Sequence, residues 1–376
     1  MQTGHKSIYD IDTLIRYEKT AVRKKLLVIF AAAALIFFVS VCERSDFQGF
    51  YSPATVIENI KMWISLAGAK GVAGDISKLQ AASELAGYLD TVYRVKLCTV
   101  TFVCGMVLAM AGMLFQNVFR NPIAAPTMLG VNTGVNLGII ALISSYGAVA
   151  AYMPFQKYIY CYTGAVIMLA AVLAVGKLSS GSGRFSVYDL LIAGAILSQI
   201  AGAGVTFYLY NSDNDAALVY QQISKAIYVD TQPVSLIFIT AAAAVTLIPV
   251  YMARFSFNAV SFEDSEARSL GIKPAAVKIT ALILGTFMVT AGMVHCGSAG
   301  MVSLIVPFIS RSIFGADFRK LFTGNILIGG AVLLLCRDIA SFFPFGGYGL
   351  PIGTVVDFVA MPVFVIILVK QRRTWE

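Results

Sequence analysis

Residues 112–134 read GMLFQNVFRNPIAAPTMLGVNTG. This stretch decides the fold because it separates one long apolar segment from the next. The first segment ends at Asn121-Pro122, and a second proline follows at Pro126. Proline lacks a backbone donor and clashes with the preceding helical turn, so this stretch cannot be regular helix. The next helix is therefore expected to begin near Leu129.

The composition places the flanking segments in a lipid bilayer. Of the 376 residues, 58% are hydrophobic and only 13% are charged, whereas soluble domains carry roughly 25% charged residues. The net charge is +8, but the basic residues lie between the apolar segments and not in one patch, so nucleic acid is not expected as a partner. The predicted fold class is an all-α integral membrane protein.

Charged residues mark the ends of the membrane spans, since a charge at mid-bilayer is costly. The uncharged run from Ile279 to Ser310 would form a helix about 48 Å long, too long for a hydrocarbon core of about 30 Å, so it must break at Gly297–Gly300. The uncharged intervals predict ten spans, at about residues 26–42, 97–118, 129–146, 158–176, 189–210, 233–252, 278–295, 301–314, 321–342 and 351–369. These spans form one domain over residues 26–376, after a cytoplasmic segment at 1–25.

The distribution of Lys and Arg predicts the orientation. Cytoplasmic loops of membrane proteins carry an excess of Lys and Arg. With the N-terminus in the cytoplasm and ten spans, most Lys and Arg of this chain lie on the cytoplasmic side. The distribution therefore predicts that both termini are cytoplasmic and that the number of crossings is even. Residues 43–96 then lie outside, where Ser52-Pro53 is expected to begin an amphipathic helix. A lid lying on the bilayer is the favoured interpretation of this segment, and docking of an external protein is the alternative. The first 20 residues are too polar for a cleaved signal peptide, so the first span is expected to be retained.

Motifs for covalent chemistry are missing from the sequence. It contains no GxxxxGK[ST], HExxH or GxSxG pattern. His295-Cys296 would be a weak metal pair, and no metal site is expected. The chain is therefore predicted not to be an enzyme and to bind no cofactor itself. The remaining function is transport of a substrate across the bilayer, driven by energy that this chain does not supply.

The two breaks are the best candidates for a pathway, because irregular backbone at membrane depth must be buried in protein or line a cavity. They follow the second and seventh spans, which run in opposite directions, as an inverted repeat would require. In the fifth span, small residues such as Gly194, Gly202 and Gly204 favour close helix packing over a pathway role. The predicted pathway residues are Gln116, Asn121, Pro122, Asn132, Gln199, Gly297, Gly300 and Pro307.

Four blocks of sequence resemble the FecCD family of bacterial ABC importer permeases, which includes ferric-siderophore, haem and vitamin B12 permeases. The strongest block is residues 112–134, which is similar to the family pattern G-x-x-x-Q-x-x-x-x-NP-L-A-x-P-x-x-LG-V-x-x-G. Residues 266–272 (EARSLGI) resemble A-R-S-LG-V, and residues 300–311 (GMVSLIVPFISR) resemble G-F-x-G-L-I-V-P-H-x-x-R. The fourth block is Leu350-Pro351-Ile352-Gly353 with Pro362.

The resemblance implies a type II ABC importer permease of ten helices, located in the bacterial cytoplasmic membrane. It would pair with a second permease subunit, identical or different, and the pathway would lie at their interface. Two cytoplasmic ATPase subunits would bind ATP and Mg²⁺, and an extracytoplasmic substrate-binding protein would deliver the cargo. A ferric siderophore or haem-type iron chelate is the favoured cargo, and cobalamin is the alternative. A self-contained secondary transporter is a less favoured reading, with Arg337, Asp338 and Asp357 as its only ion-coupling candidates.

The resemblance also assigns roles to individual residues. The loop at 255–278 corresponds to the ATPase-coupling segment, in which Ser261 or Ser265 is expected to cap a short helix and Gly271 to end it. The coupling residues are Ser261, Glu263, Asp264, Glu266, Arg268 and Gly271. On the outer side, Arg94 and Lys96 correspond to the family's arginines that meet the binding protein.

Two departures from the family pattern predict a structural ion pair. Arg337 and Asp357 each replace a usual small residue, and both are expected roughly 8 to 9 Å below the outer ends of their spans. An Arg337–Asp357 pair is therefore predicted, with Asp338 as a competing partner for Arg337. The alternative is that Arg337 extends outward alone. A third departure is Pro307-Phe308 in place of the family's Pro-His, which removes one polar group.

Overall fold

Fourteen α-helices make up the described part of the chain, and no β-strand accompanies them there. The structure is a computed structural model that describes residues 11–43, 49–68, 82–179, 187–225, 231–343 and 350–372. In chain order the helices are α1 (Ile11–Cys42), α2 (Pro53–Gly68), α3 (Ala82–Phe119), α4 (Val131–Tyr146), α5 (Pro154–Ser179), α6 (Val187–Asn211), α7 (Asn214–Ser224), α8 (Pro233–Met252), α9 (Arg254–Val260), α10 (Asp264–Ser269), α11 (Pro274–Cys296), α12 (Met301–Phe314), α13 (Phe318–Ser341) and α14 (Ile352–Arg372). The all-α prediction is confirmed.

Ten of these helices correspond one to one with the predicted spans. Eight are long and apolar enough to cross a bilayer, and the other two, α12 and the apolar part of α14, are shorter apolar helices. The remaining four, α2, α7, α9 and α10, lie in the connections between spans. The chain is therefore a multi-pass membrane protein whose order of spans follows from the charge-free intervals.

Helix α3 lies at the centre of the bundle, in contact with α1, α8, α11, α12 and α13. Two glycines let neighbouring backbones approach it closely. A Cβ atom added at Gly105 would lie 2.2 Å from the Gly329 carbonyl oxygen on α13. One added at Gly112 would lie 1.6 Å from the Ser303 carbonyl oxygen on α12. Any side chain at either position would force the helices apart.

The segment between the first two predicted spans, residues 43–96, is more helical than the sequence predicted. Helix α3 begins at Ala82, not near residue 97, so residues 82–96 continue the second span. The predicted start follows Lys96, the charge that bounds the uncharged interval, but the helix continues through Lys96, Arg94 and Asp90, and Arg94 is paired with Glu43 inside the protein. The predicted cap of α2 is confirmed, because the Thr55 amide donates to the Ser52 hydroxyl at 3.2 Å and Pro53 is the first helical residue. Residues 44–48 and 69–81 of this segment lie outside the described ranges.

Candidate functional site

The first predicted break lies between α3 and α4. Arg120 adopts a positive φ of 48°, and the Asn121 side chain accepts a hydrogen bond from the Ile123 amide at 3.0 Å. A short 3-10 helix, Pro126–Leu129, follows and ends at Gly130, where φ is 71°. Helix α4 then begins at Val131, two residues after the predicted start. The prolines and glycine therefore break the helix where the sequence indicated.

The second predicted break lies between α11 and α12. Helix α11 ends at Cys296, Gly297 has a φ of 67°, and α12 starts at Met301. The two breaks meet in space, because a Cβ atom added at Gly300 would lie 3.2 Å from Thr127 Cγ2 and 3.3 Å from Asn132 Nδ2. Backbone that leaves the regular helix at two distant places in the sequence thus forms one region of the bundle.

A cavity of about 320 Å³ opens where the breaks meet. Its walls are the first break, the second break and the start of α14, which supply Ile123, Ala125, Thr127, Met128, Asn132, Ser298, Gly300, Met301, Leu304, Asp357 and Phe364. Asp357 is the one charged side chain among these lining residues. The Asn132 Oδ1 atom is buried and has no hydrogen-bond partner in the structure. Asn132 and Gly300 are therefore brought together as predicted, and Asp357 joins them.

The other predicted pathway residues are distributed differently. The Gln116 side chain is buried and donates from Nε2 to the Leu304 carbonyl at 3.0 Å, so it fastens α3 to α12. Gly297 and Pro307 are buried, Pro122 is half-buried and Asn121 is exposed. Gln199 is exposed on α6 and does not line the cavity. The structure thus places Asn132 and Gly300 in the cavity wall, and the other six predicted residues are not among those that line it.

The small residues of α6 do not all pack closely. A Cβ atom at Gly194 would lie 2.4 Å from the Met128 carbonyl oxygen, so this glycine fits the packing interpretation. A Cβ atom at Gly202 or Gly204 would have no atom within 4 Å. Within a single chain, the prediction that these two glycines pack closely against another helix is therefore wrong.

The predicted coupling loop, residues 255–278, contains most of the short helix α9 and all of the short helix α10. Helix α10 starts at Asp264, and its N-cap residue is Glu263, so the prediction of Ser261 or Ser265 as the cap is wrong. Each serine is engaged elsewhere: the Ser261 hydroxyl donates to Asn117 Oδ1, and the Ser265 hydroxyl donates to Glu263 Oε2 at 3.3 Å. The predicted end is confirmed, because Gly271 has a φ of 76° and its amide donates to the Arg268 carbonyl at 2.9 Å.

The C-terminal end of α3 holds this loop in place. Asn117 Nδ2 donates to the Phe257 carbonyl at 2.6 Å, and its Oδ1 atom accepts from Ser261. Arg120 Nε donates to the Val260 carbonyl at 3.1 Å. Asn117 and Arg120, at the end of α3, therefore bind two backbone carbonyls and one hydroxyl group of the loop. These hydrogen bonds couple the position of the loop to that of α3.

Asp264 joins the loop to two spans by charge. Its carboxylate contacts the Arg120 guanidinium at the end of α3 and accepts two hydrogen bonds of 2.8 Å from the Lys278 ammonium at the start of α11. Partial burial acts to raise the pKa of Asp264, but the hydrogen bonds and charges of Lys278 and Arg120 outweigh it, so the pKa lies below the usual 3.8. Glu263, Glu266 and Arg268 are exposed beside this contact.

A buried ionic cluster lies near the opposite end of the bundle. Its members are Glu43 at the end of α1, Arg94 on α3, and Arg337 and Asp338 on α13. Glu43 Oε2 pairs with Arg94 and lies 3.1 Å from Arg337 Nη2, and Arg337 Nη2 lies 3.1 Å from Asp338 Oδ1. The Ser40 hydroxyl donates to Asp338. The charges of the two acids and the two arginines sum to zero. Pairing of opposite charges offsets part of the free energy that is needed to remove them from water.

This cluster corrects two predictions. The Arg337–Asp357 ion pair is wrong, because Arg337 pairs with Glu43 and Asp338 while Asp357 lies in the cavity wall; Asp338 is confirmed as a partner of Arg337. Arg94 is only 2% exposed, so in this structure it is not available to an external protein; Lys96 is half-buried. Equal depth in the membrane did not bring Arg337 and Asp357 together, because depth does not fix which way a helix face points.

Glu43 is the residue of this cluster that sequence reasoning missed. It directly follows the first span, so its charge predicts where the span ends but not which residue it contacts. The Ser341 hydroxyl also donates to its second carboxylate oxygen. The available signal was a pair of arginines, Arg94 and Arg337, that each lie close to an apolar segment and require a carboxylate.

Comparisons with known proteins agree with this architecture. The model of the FecCD transport family matches residues 65–370. The chain is 28% identical over 273 residues to a Helicobacter pylori protein named as a probable iron chelatin transport system permease, covering 71% of this chain and 78% of that protein. It is 25% identical over 272 residues to the hemin transport system permease protein HmuU of Yersinia pestis, covering 72% and 80%. A solved structure described as an inward-facing metal-chelate type ABC transporter superposes with a TM-score of 0.70 at 20% identity, covering 93% of this chain and 99% of that one.

Proposed function

This chain belongs to the FecCD transport family, and from that membership we propose that it is the permease subunit of an ATP-driven ABC importer for an iron chelate. The observation that carries the proposal is the meeting of two helix breaks at a cavity inside a bundle of membrane spans. Irregular backbone in a membrane protein lines a substrate route or is buried in protein, and here it borders a space. The chain itself performs no covalent chemistry in this proposal.

The cavity supports a pathway shared between two permease subunits. Asp357 and Met128 in its wall are exposed at the surface of this chain, next to exposed apolar residues of α14 such as Phe358 and Met361. An exposed apolar surface around a polar cavity fits an interface with a second permease subunit, whose own cavity would complete the route. The alternating opening of this shared space to each side would move the cargo.

The coupling loop supports an ATPase partner on the cytoplasmic side. Phe262 and Leu270 are large apolar side chains of the loop that are more than half exposed, and they flank the exposed Glu263, Glu266 and Arg268. Asn117, Arg120 and Lys278 fix this surface to α3 and α11, which lead directly into the two breaks. A movement of the ATPase subunits would therefore be transmitted to the cavity wall through rigid helices.

The cargo proposed is a ferric siderophore or haem-type chelate, since the relatives reported above carry the names of iron chelatin and hemin permeases. These names favour an iron chelate over cobalamin. The secondary-transporter alternative is weakened, because Arg337 and Asp338 are engaged with Glu43 and Ser40 and do not line the cavity.

The proposed orientation puts both termini and the coupling loop in the cytoplasm, with α2 and α7 outside. An extracytoplasmic binding protein would deliver cargo to that outer face. Because Arg94 is buried, such docking would use Lys96 and the exposed residues of α2.

Reconstitution tests the proposal. The chain would be purified with the ATPase and binding-protein subunits encoded beside its gene and placed in liposomes. We expect uptake of radiolabelled ferric hydroxamate or haem that requires ATP and is blocked by vanadate. Liposomes without the permease serve as the control. Uptake of cobalamin but of no iron chelate would contradict the cargo, and ion-driven uptake by the chain alone would contradict the transporter class.

A further inference from the structure

The cavity between the two breaks holds hydrogen-bond acceptors that nothing in the described structure satisfies. Asn132 Oδ1 is buried without a partner. Asp357 lines the same cavity, and no Lys, Arg or His of the described ranges forms an ion pair with it. A buried acceptor without a donor is costly, and a carboxylate at membrane depth is more so. Both groups therefore lack a donor or a cation that a ligand could supply.

Asp357 differs in this respect from the other acids of the spans. Glu43 and Asp338 are matched by Arg94 and Arg337, so the buried cluster has no net charge to offer. Asp357 is unmatched by any Lys, Arg or His of the described ranges, and it is exposed where it lines the cavity. An acidic side chain without a basic partner in the described ranges thus lies in the cavity wall.

We propose that this cavity recognises a cationic iron chelate, with Asp357 as the charge partner of an ammonium group on the cargo and Asn132 Oδ1 as a second acceptor. The inference rests on the proposed function and adds the charge class of the cargo. An ammonium donates three hydrogen bonds and accepts none, so it suits a cavity whose wall presents these two acceptors. An anionic chelate would meet the Asp357 charge with repulsion and leave Asn132 Oδ1 unsatisfied.

The test compares two chelates that differ only in charge: a ferric trihydroxamate with a free terminal amine, and the same chelate with that amine acetylated. Uptake is measured in liposomes containing the complete transporter with wild-type permease or with Asp357→Asn, Asp357→Glu or Asp215→Asn. Asp215→Asn removes an exposed acid from α7, away from the cavity. The binding protein is the same in every arm, so its own preference cancels when the ratios of cationic to neutral uptake are compared between variants.

We expect Asp357→Asn to lower the ratio of cationic to neutral uptake at least about tenfold, the effect of losing one charge-assisted hydrogen bond. Asp357→Glu keeps the charge and should keep most of the preference, and Asp215→Asn should keep all of it. Size-exclusion chromatography establishes that each complex assembles. An unchanged ratio in Asp357→Asn, or an equal loss of both chelates, overturns the inference while leaving the proposed function intact. If the wild type takes up neither chelate nor haem, the proposed function fails and the inference fails with it.

Discussion

The Glu43 carboxylate lies 3.1 Å from the Arg337 guanidinium, which joins the end of α1 to the C-terminal half of α13 across 294 residues of sequence. The same carboxylate oxygen pairs with Arg94 on α3. All three side chains are at most 6% exposed. One acid therefore connects three helices, and its removal would leave two buried arginines with Asp338 as their only acidic partner in the cluster.

The first prediction is that Glu43→Gln destabilises the chain. Breaking one side of a buried ion pair leaves an uncompensated charge, so we expect the free energy of unfolding to fall by about 3 to 5 kcal/mol. Thermal unfolding in detergent would measure it. Glu58→Gln, which neutralises an exposed acid on α2, is the matched control.

A double variant makes this prediction sharper. Adding Arg337→Met to Glu43→Gln restores the charge balance of the cluster, so the double variant should be more stable than Glu43→Gln alone. Equal stability of Glu43→Gln and wild type would show that the cluster does not hold these helices together.

The second prediction concerns Asp264 and the coupling loop. Asp264→Ala leaves the buried Lys278 ammonium without its carboxylate, and because Asp264 itself is partly exposed we expect a loss of only about 1 to 2 kcal/mol. Amide hydrogen exchange of residues 254–272 should become faster. Glu266→Ala, two residues further along the same helix, is the control and should leave the exchange unchanged. Protection as in wild type would mean that the charge contact does not anchor the loop.

The third prediction is the pH dependence of that contact. The pKa of Asp264 is lowered in the folded chain, so its stabilisation is fully present above the unfolded value of about 3.9 and is lost as the pH falls through the folded pKa. The difference in unfolding temperature between wild type and Asp264→Asn should therefore stay constant between about pH 5 and about pH 8. It should become smaller below about pH 4. A difference that changes near neutral pH would point to another titrating group.

The fourth prediction addresses the ATPase partner. Glu266→Lys reverses an exposed charge of α10 that makes no contact needed for the fold. If this surface binds the ATPase subunits, co-purification should fall several-fold while thermal stability of the permease alone stays as in wild type. Asp215→Lys, on the outer helix α7, should leave co-purification unchanged. Unaltered binding by Glu266→Lys would move the contact to another part of the loop.

The fifth prediction separates two classes of glycine. Gly112→Ala would place a methyl group 1.6 Å from the Ser303 carbonyl oxygen, so α3 and α12 cannot pack and we expect little folded protein. Gly204→Ala meets no atom within 4 Å and replaces glycine by the best helix former, which favours the helix by up to about 1 kcal/mol. The fraction of monodisperse protein in detergent measures both. Similar yields for the two variants would contradict the close approach at Gly112.

The sequence predicted the helices well because their ends depend on local chemistry. Charged side chains are costly to transfer from water into lipid, so their positions predicted the ends of the spans. Pro122, Pro126 and Gly297 predicted both breaks to within a few residues. At α3 the same rule predicted a start about 15 residues too late, because the helix continues through the charged residues Asp90, Arg94 and Lys96 and a distant partner, Glu43, neutralises Arg94.

What the sequence alone determined is the fold class, the order of ten spans, the two breaks and the family. What only the tertiary structure decided is which side chains meet: Arg337 with Glu43, Asp264 with Lys278, and Asp357 with the cavity around Asn132. Depth along a helix follows from counting residues, but the direction of each side chain changes by about 100° per residue. That rotation is set by the packing of all neighbouring helices together, so Arg337 and Asp357 could share a depth and still face different parts of the protein.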